Sequence, residues 1–181
     1  MSIIHDNVIE VKLTRGLVTI IDAEDLEFVS QWKWFASRGN STDYAQRNDR
    51  SEGIRRTVKL HRVILNAPDG MHVDHINHNG LDNRKANIRL CTPSENLRNR
   101  RKRNGCSSEY KGVIRRQDRV KPWVAVIKVD GKKYTSSFLT ELEAALWYDE
   151  MAKEHHGEFA QLNFPQTLEG NDLTRTKELE R

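Results

Sequence analysis

The chain has 181 residues, of which 36% are hydrophobic, with a mean hydropathy of −0.77, a formal charge of +4 and a pI of about 9.1. No apolar run approaches the roughly 20 residues that a membrane-spanning helix needs, and so polar a chain is ill suited to one large core. Small modules strung along a polar partner fit better, because a small domain buries proportionally less of its surface.

Charge is concentrated. Ten Lys or Arg lie between Arg98 and Lys121, against only Glu109 and Asp118. A strip of that kind offers a polyanion many phosphate contacts, though a solvated linker or helix face has the same look. Cys91 and Cys106 do not make a secreted disulfide framework. The opening Met1-Ser2-Ile3-Ile4-His5-Asp6 meets acid almost at once and lacks the pattern of a signal peptide. A reducing cytoplasm is the expected location.

Residues 1–56 read as a β-rich module. Val8 to Leu13 partly alternates, and Leu17 to Ile21 forms the next strand. Asp22 to Ser30 reads as a short helix with Asp22 as cap and Asp25 at its third position. Trp32, Trp34 and Phe35 supply apolar surface for a core. Tyr44 to Arg47 and Thr57 to Leu60 read as strands around a polar turn, 48–53.

Residues 57–106 hold the chemistry. His61 to Leu65 is a short helix ended by Asn66-Ala67-Pro68-Asp69-Gly70. A strand, Met71 to Ile76, leads into the loop Asn77-His78-Asn79-Gly80, and Asn83 to Leu90 returns beside it. Thr92-Pro93-Ser94-Glu95 is a helix start with a capping box, and the helix is expected to run to Arg103, with Asn104-Gly105 as its stop. Residues 107–165 form a separate unit: strands Tyr110 to Arg116, Trp123 to Val129 and Lys132 to Phe138, with Asp130-Gly131 as a tight hairpin turn. A helix capped by Thr140 with Glu143 follows, its apolar stripe read as Leu142, Ala145, Leu146, Tyr148, Met151 and Ala152. Residues 166–181 read as a flexible tail. The expected class is α+β in small modules.

In the middle module Asp74 offers a hard divalent cation one oxygen and Asn96, one turn inside the helix, a second. His75 is then placed to act as general base on water, and Asn87 to hold the loop or orient His75. Adjacent strand residues point to opposite sides, so Asp74 and His75 serve one site only if the strand end bends or they bracket the scissile phosphate from different directions. By spacing alone the same residues also suit an ordinary turn. A zinc site from His61, His72, His75, His78, Cys91 and Cys106 lacks a paired Cys-x-x-Cys.

Val73-Asp74-His75-Ile76-Asn77, Asp82-Asn83-Arg84-Lys85-Ala86-Asn87-Ile88-Arg89 and Thr92-Pro93-Ser94-Glu95-Asn96 closely resemble the HNH endonucleases, in the phage and intron homing branch whose third signature residue is Asn. The resemblance covers about residues 5–103 and implies a ββα-metal site. Asp74 and Asn96 match its metal ligands, His75 its general base and Asn87 its middle Asn. Asn96 replaces the His of many relatives, which favours Mg²⁺ or Mn²⁺, one ion per site, over a softer ion. His61 is expected to be structural, while Arg62, Arg98 and Arg101 are expected to touch DNA phosphates.

Tyr110-Lys111-Gly112-Val113, Trp123-Val124-Ala125, Phe138 to Ala145, Tyr148-Asp149 and Asn163-Phe164-Pro165 resemble an AP2-type DNA-binding domain over about 107–165. That resemblance puts Lys111, Arg116, Lys128, Lys132 and Tyr134 at DNA-reading positions, and strand parity assigns them to the outward sheet face. Arg115 and Lys133 are expected to reach flanking phosphates. Ile114 and Val126 stand where plant relatives often carry Arg and Glu, so a GC-rich plant-type site is not expected. Together the resemblances imply a site-directed endonuclease of double-stranded DNA that leaves a 5'-phosphate. A monomer with one site nicks; a double-strand break needs a dimer or two successive events. The alternative is a non-catalytic DNA-binding or transcription-regulating protein on a degenerate nuclease fold.

Overall fold

The computed structural model describes residues 4–5, 7–51, 53–102 and 105–165. The expected tail at 166–181, and the helix stop at Asn104, lie outside the described residues. The chain divides into two compact units, Met1–Leu97 and Arg98–Arg181.

In the first unit β1 (Ile4–His5), β2 (Val8–Lys12) and β3 (Val18–Asp22) form one antiparallel sheet. The helix expected from Asp22 is instead a 3-10 turn, Ala23–Asp25, followed by α1 (Leu26–Ser30). Asp22 does not cap it; its Oδ2 accepts the backbone N–H of Lys85 at 2.7 Å. A second sheet holds β4 (Phe35–Arg38), β5 (Asp43–Asp49) and β6 (Arg56–Lys59), and α2 (Leu60–Ile64) follows. Strand β4 was not expected, because three aromatics around Lys33 hide its alternation. The core shared by these elements is Ile9, Ile21, Val29, Trp34, Ala45 and Leu60. Trp34 donates its indole N–H to the Val29 carbonyl at 2.9 Å, so its polar edge is satisfied inside that core. Trp32 remains outside, 45% exposed, beneath the Arg47 guanidinium.

A two-stranded ribbon, β7 (His72–His75) and β8 (Ile88–Cys91), is followed by α3 (Pro93–Arg98). The expected capping box is present: Thr92 Oγ1 accepts from the Glu95 N–H, and Glu95 Oε2 accepts from the Thr92 N–H. The helix ends at Arg98 and not at Arg103. Arg98, Arg100, Arg101 and Lys102 would crowd like charges three and four residues apart with no acid between them, which opposes continuation.

In the second unit β9 (Val113–Arg115), β10 (Trp123–Val129) and β11 (Lys132–Phe138) pair antiparallel in the order β11-β10-β9. Asp130 and Gly131 both have positive φ, 47° and 83°, as a tight primed turn requires. One helix, α4 (Glu141–His156), carries the expected Thr140–Glu143 capping box. Val113, Ala125 and Ile127 of the sheet pack on Ala144, Ala145, Tyr148 and Ala152. The apolar stripe agrees with the expected one at Ala145, Tyr148, Met151 and Ala152 but not at Leu142 and Leu146, which are 51% and 42% exposed, while Ala144 and Asp149 are buried. Asp149 sets this rotation, since its carboxylate accepts the N–H groups of Asn163 and Phe164, each at 2.8 Å. Gly112, at φ +75°, lies so close to the Tyr148 ring that a Cβ there would stand 2.0 Å from it.

Candidate active site

Antiparallel register decides what each face of the β7–β8 ribbon carries. Asp74 pairs with Arg89, and His75 with Ile88. Alternation then separates Asp74 from His75. On the first face the Asp74 carboxylate is buried and its Oδ2 accepts from Arg89 Nε at 3.0 Å and Nη2 at 2.9 Å. His72 belongs to the same face, two residues back, and its Nδ1 meets Asn96 Nδ2 at 3.1 Å. Asn96 thus faces back toward the strands as its place in the helix predicts, through His72, a contact that sequence reasoning missed. Buried Cys91, opposite His72, has its thiol pushed up to about 11 by burial, then by the Asp74 and Glu95 carboxylates.

On the second face His75 is enclosed. Its Nε2 lies 3.3 Å from Asn83 Oδ1. The His61 ring meets it edge-on, centroids 5.0 Å apart at 84°, and the Tyr44 ring lies 5.9 Å away. Burial holds the His75 imidazole below its ordinary pKa despite the Asn83 contact and the Asp74 and Asp82 charges. His61 is pushed down to about 3, first by burial, then by His75, Lys59 and Arg62. Both rings are therefore neutral near pH 7, and the structural role expected for His61 agrees with its 5% exposure.

The loop between the strands is tied at several points. Asn87 Oδ1 accepts the Asn77 N–H at 3.0 Å, and its Nδ2 donates to the Asp82 carbonyl at 2.8 Å. Of the two jobs expected for Asn87, these bonds perform the first, holding the loop; the amide that meets His75 is Asn83. Asp82 takes two hydrogen bonds from Arg84 at 2.7 Å and one from Asn77 at 2.9 Å, and the Arg84 contact keeps its carboxyl below the usual range. The loop also pairs with β3: Ile20 donates to Leu81 at 2.8 Å, and Asn83 donates to Ile20 at 2.7 Å. Gly80 comes so near Asp43 and Tyr44 that a Cβ would stand 2.5 Å from the Asp43 oxygen. Nothing in local periodicity announces these long-range ties.

The basic residues are dispersed. Arg62 donates to the carbonyls of Met71, Ala67 and Pro68, closing the turn after α2, a different job from the expected phosphate contact. Arg98 pairs with Asp130 at 3.2 Å, and Arg101 is exposed. Lys111 precedes β9 and is half-buried, its ammonium donating to the Arg98 carbonyl; burial pulls its pKa down to about 8. It therefore does not stand on the outward sheet face. Pairing of Val129 with Lys132, and of Ile127 with Tyr134, puts Lys132 and Tyr134 on the side of the helix-facing residues. Tyr134 accordingly stacks on His155 of α4, centroids 5.7 Å apart. The expected outward parity fails for these two, because residues paired across antiparallel strands share a face. The outward face carries Ile114, Val124, Val126, Lys128 and Lys133. Arg115 has its guanidinium 5.5 Å from the Trp123 ring centroid, and exposed Arg116 continues the alternation of Ile114.

The residues of this ribbon, loop and helix are the ones that comparison with known proteins singles out. The family model for HNH endonucleases matches residues 58–98, and the chain belongs to that family. It is 31% identical over 155 residues to an uncharacterized HNH endonuclease of Acanthamoeba polyphaga mimivirus, covering 82% of this chain and 76% of the relative. It is also 31% identical over 93 residues to Protein 3.8 of Escherichia phage T7, covering 51% of this chain and 76% of that protein. No solved structure matches. Among the described residues, no helix is long and apolar enough to cross a membrane.

Proposed function

We propose that the protein is a metal-dependent, site-directed DNA endonuclease in which His75 is the general base. The observation that carries this reading is the ribbon geometry. Asp74 and His75 are neighbours at the end of β7 on opposite faces, with Asn96 of α3 reaching the Asp74 face through His72. His75 is buried and neutral, the form that accepts a proton. It takes the proton of a water that attacks phosphorus. The bond from phosphorus to the 3'-oxygen breaks, the 3'-oxygen takes a proton from solvent, and the new P–O bond leaves a 5'-phosphate.

The donors suit a hard divalent cation. Asp74 supplies carboxylate oxygens, and Asn96, whose Nδ2 faces His72, has its amide oxygen to offer. Among the described residues no three His, Cys, Asp or Glu side chains converge on one point, so substrate phosphate would complete the coordination. When bound, Mg²⁺ or Mn²⁺ supplies charge stabilisation at the leaving oxygen. Arg89 would hold Asp74 in place before the cation arrives.

The second unit is read as an AP2-like module that grips double-stranded DNA with its outward face. Lys128 and Lys133 are paired directly across strands there, both exposed. Like charges in that position are unfavourable unless a polyanion lies over them. A chain acting alone nicks one strand, as expected of a homing-type enzyme with one site.

The deciding experiment incubates the protein with supercoiled plasmids carrying viral and bacterial DNA, with Mg²⁺, Mn²⁺ or EDTA, beside His75→Ala. Open-circle product that needs the metal and disappears in the variant is expected. Retarded DNA without cleavage in either metal would leave a DNA-binding protein on a nuclease fold.

A further inference from the structure

We propose that Asn83 and Thr19 are positioning residues that fix the His75 imidazole as its Nε2–H tautomer and so make Nδ1 the proton-accepting nitrogen. The inference rests on the reading of His75 as general base and deepens it. Neither residue is marked out by spacing or by residue type.

The direction of each hydrogen bond follows from one atom that cannot donate. The Leu81 carbonyl accepts from the Ile20 N–H at 2.8 Å and from Thr19 Oγ1 at 2.8 Å. The single hydroxyl proton of Thr19 therefore points at Leu81. Thr19 can then only accept from Asn83, whose Nδ2 lies 2.7 Å from Oγ1. That fixes the amide: Nδ2 faces Thr19, and Oδ1 faces His75 Nε2 at 3.3 Å. An amide oxygen has no proton to give, so this contact requires the proton on Nε2. In the neutral ring the basic lone pair is then on Nδ1.

The chain is rigid as well as directional. Thr19 and Asn83 are each 0% exposed. Flipping the Asn83 amide would oblige the Thr19 hydroxyl to leave the Leu81 carbonyl in order to meet the amide oxygen, at the cost of that hydrogen bond inside a buried cluster. The backbone N–H of Asn83 is itself held by the Ile20 carbonyl at 2.7 Å, and His61 braces the His75 ring edge-on. The loop that follows β7 and the sequence-distant strand β3 thus act together on one imidazole. The partners that orient metal-ligating histidines are worth roughly 10- to 100-fold in affinity or activity, and the same order is expected for a partner of His75.

The test uses the full-length protein and two independent readouts. The first is the ¹⁵N shift pattern of the His75 ring at pH 8 without metal, which distinguishes the two tautomers and needs no activity. Wild type is expected to show protonated Nε2. Thr19→Val, nearly isosteric, frees the amide to turn, and the pattern is expected to shift toward protonated Nδ1. The second readout is single-turnover cleavage. Asn83→Leu is expected to slow it roughly 10- to 100-fold with DNA affinity unchanged. Asn83→Asp keeps an acceptor for Nε2–H, with the Thr19 hydroxyl turning from Leu81, which retains the Ile20 N–H, to donate to the second carboxylate oxygen. It is expected to restore the rate to within a few-fold. Protonated Nδ1 in the wild type would overturn the proposal, as would equal damage by Asn83→Leu and Asn83→Asp in variants that fold by circular dichroism. Full activity in His75→Ala would instead overturn the general-base reading, and the ring shifts would still report the tautomer.

Discussion

Asp74 has a side chain only 7% exposed, and its partner Arg89 is 13% exposed. A buried carboxylate stripped of its cation is strongly destabilising, whereas the intact pair is close to neutral. Arg89→Ala is therefore expected to lower unfolding free energy by about 3 kcal/mol, and Mg²⁺ is expected to recover part of that loss by replacing the guanidinium charge. Urea melts with and without Mg²⁺ check this; equal deficits in both conditions would argue against a cation at Asp74. The asparagines teach a related lesson. Asn83 and Asn87 stand four apart in one loop with the same side chain. Only their partners distinguish them: Asn87 binds loop backbone, and Asn83 meets His75. Residue type and spacing reached Asn87 by resemblance but gave no reason to select Asn83 or Thr19.

At the scale of elements, the three strands, the hairpin turn and both capping boxes were legible because each rests on local chemistry. Strands β10 and β11 begin and end where the pattern predicts. Facing was less legible. The hairpin pairs Lys128 with Lys133, so the outward lysines are these two, while Lys132 shares the side of Val129. Substituting Lys128 and Lys133 together by Glu is expected to weaken duplex binding at low salt and to flatten the salt dependence of affinity by about one phosphate contact per lysine. Lys132→Glu is expected to do distinctly less. Fluorescence titrations across a salt series would show it, and equal slopes for all variants would remove the outward face from the DNA interface. On α4 only Leu142 and Leu146 were misplaced: the buried stripe keeps the expected Ala145, Tyr148 and Ala152 and adds Ala144 and Asp149, whose carboxylate is tied to Asn163 and Phe164.

The whole molecule responds to acid through its buried histidines. His61 is held at about 3 in the folded protein against an unfolded value of about 6.5. Between those values the unfolded chain binds more protons, so folding stability from this group is complete above about pH 6.5 and falls as pH drops toward 3. The contribution has a slope of up to about 1.4 kcal/mol per pH unit. His61→Phe is expected to flatten the loss of stability between pH 6 and 4, leaving what His75 and the carboxylates contribute; an unchanged slope in denaturant melts would contradict the burial of a neutral His61. By itself the sequence determined the mixed α+β class, most element boundaries and the family resemblance that picks out Asp74, His75, Asn87 and Asn96 as candidates, because turns, caps, alternation and a compact motif are written in neighbouring positions. Tertiary structure decided which face each residue takes, how the loop 77–87 is tied to β3, and which amide meets His75. Those outcomes depend on register and on contacts such as Thr19–Asn83, 64 residues apart in sequence, and no local pattern encodes a hydrogen bond between side chains that only folding brings together.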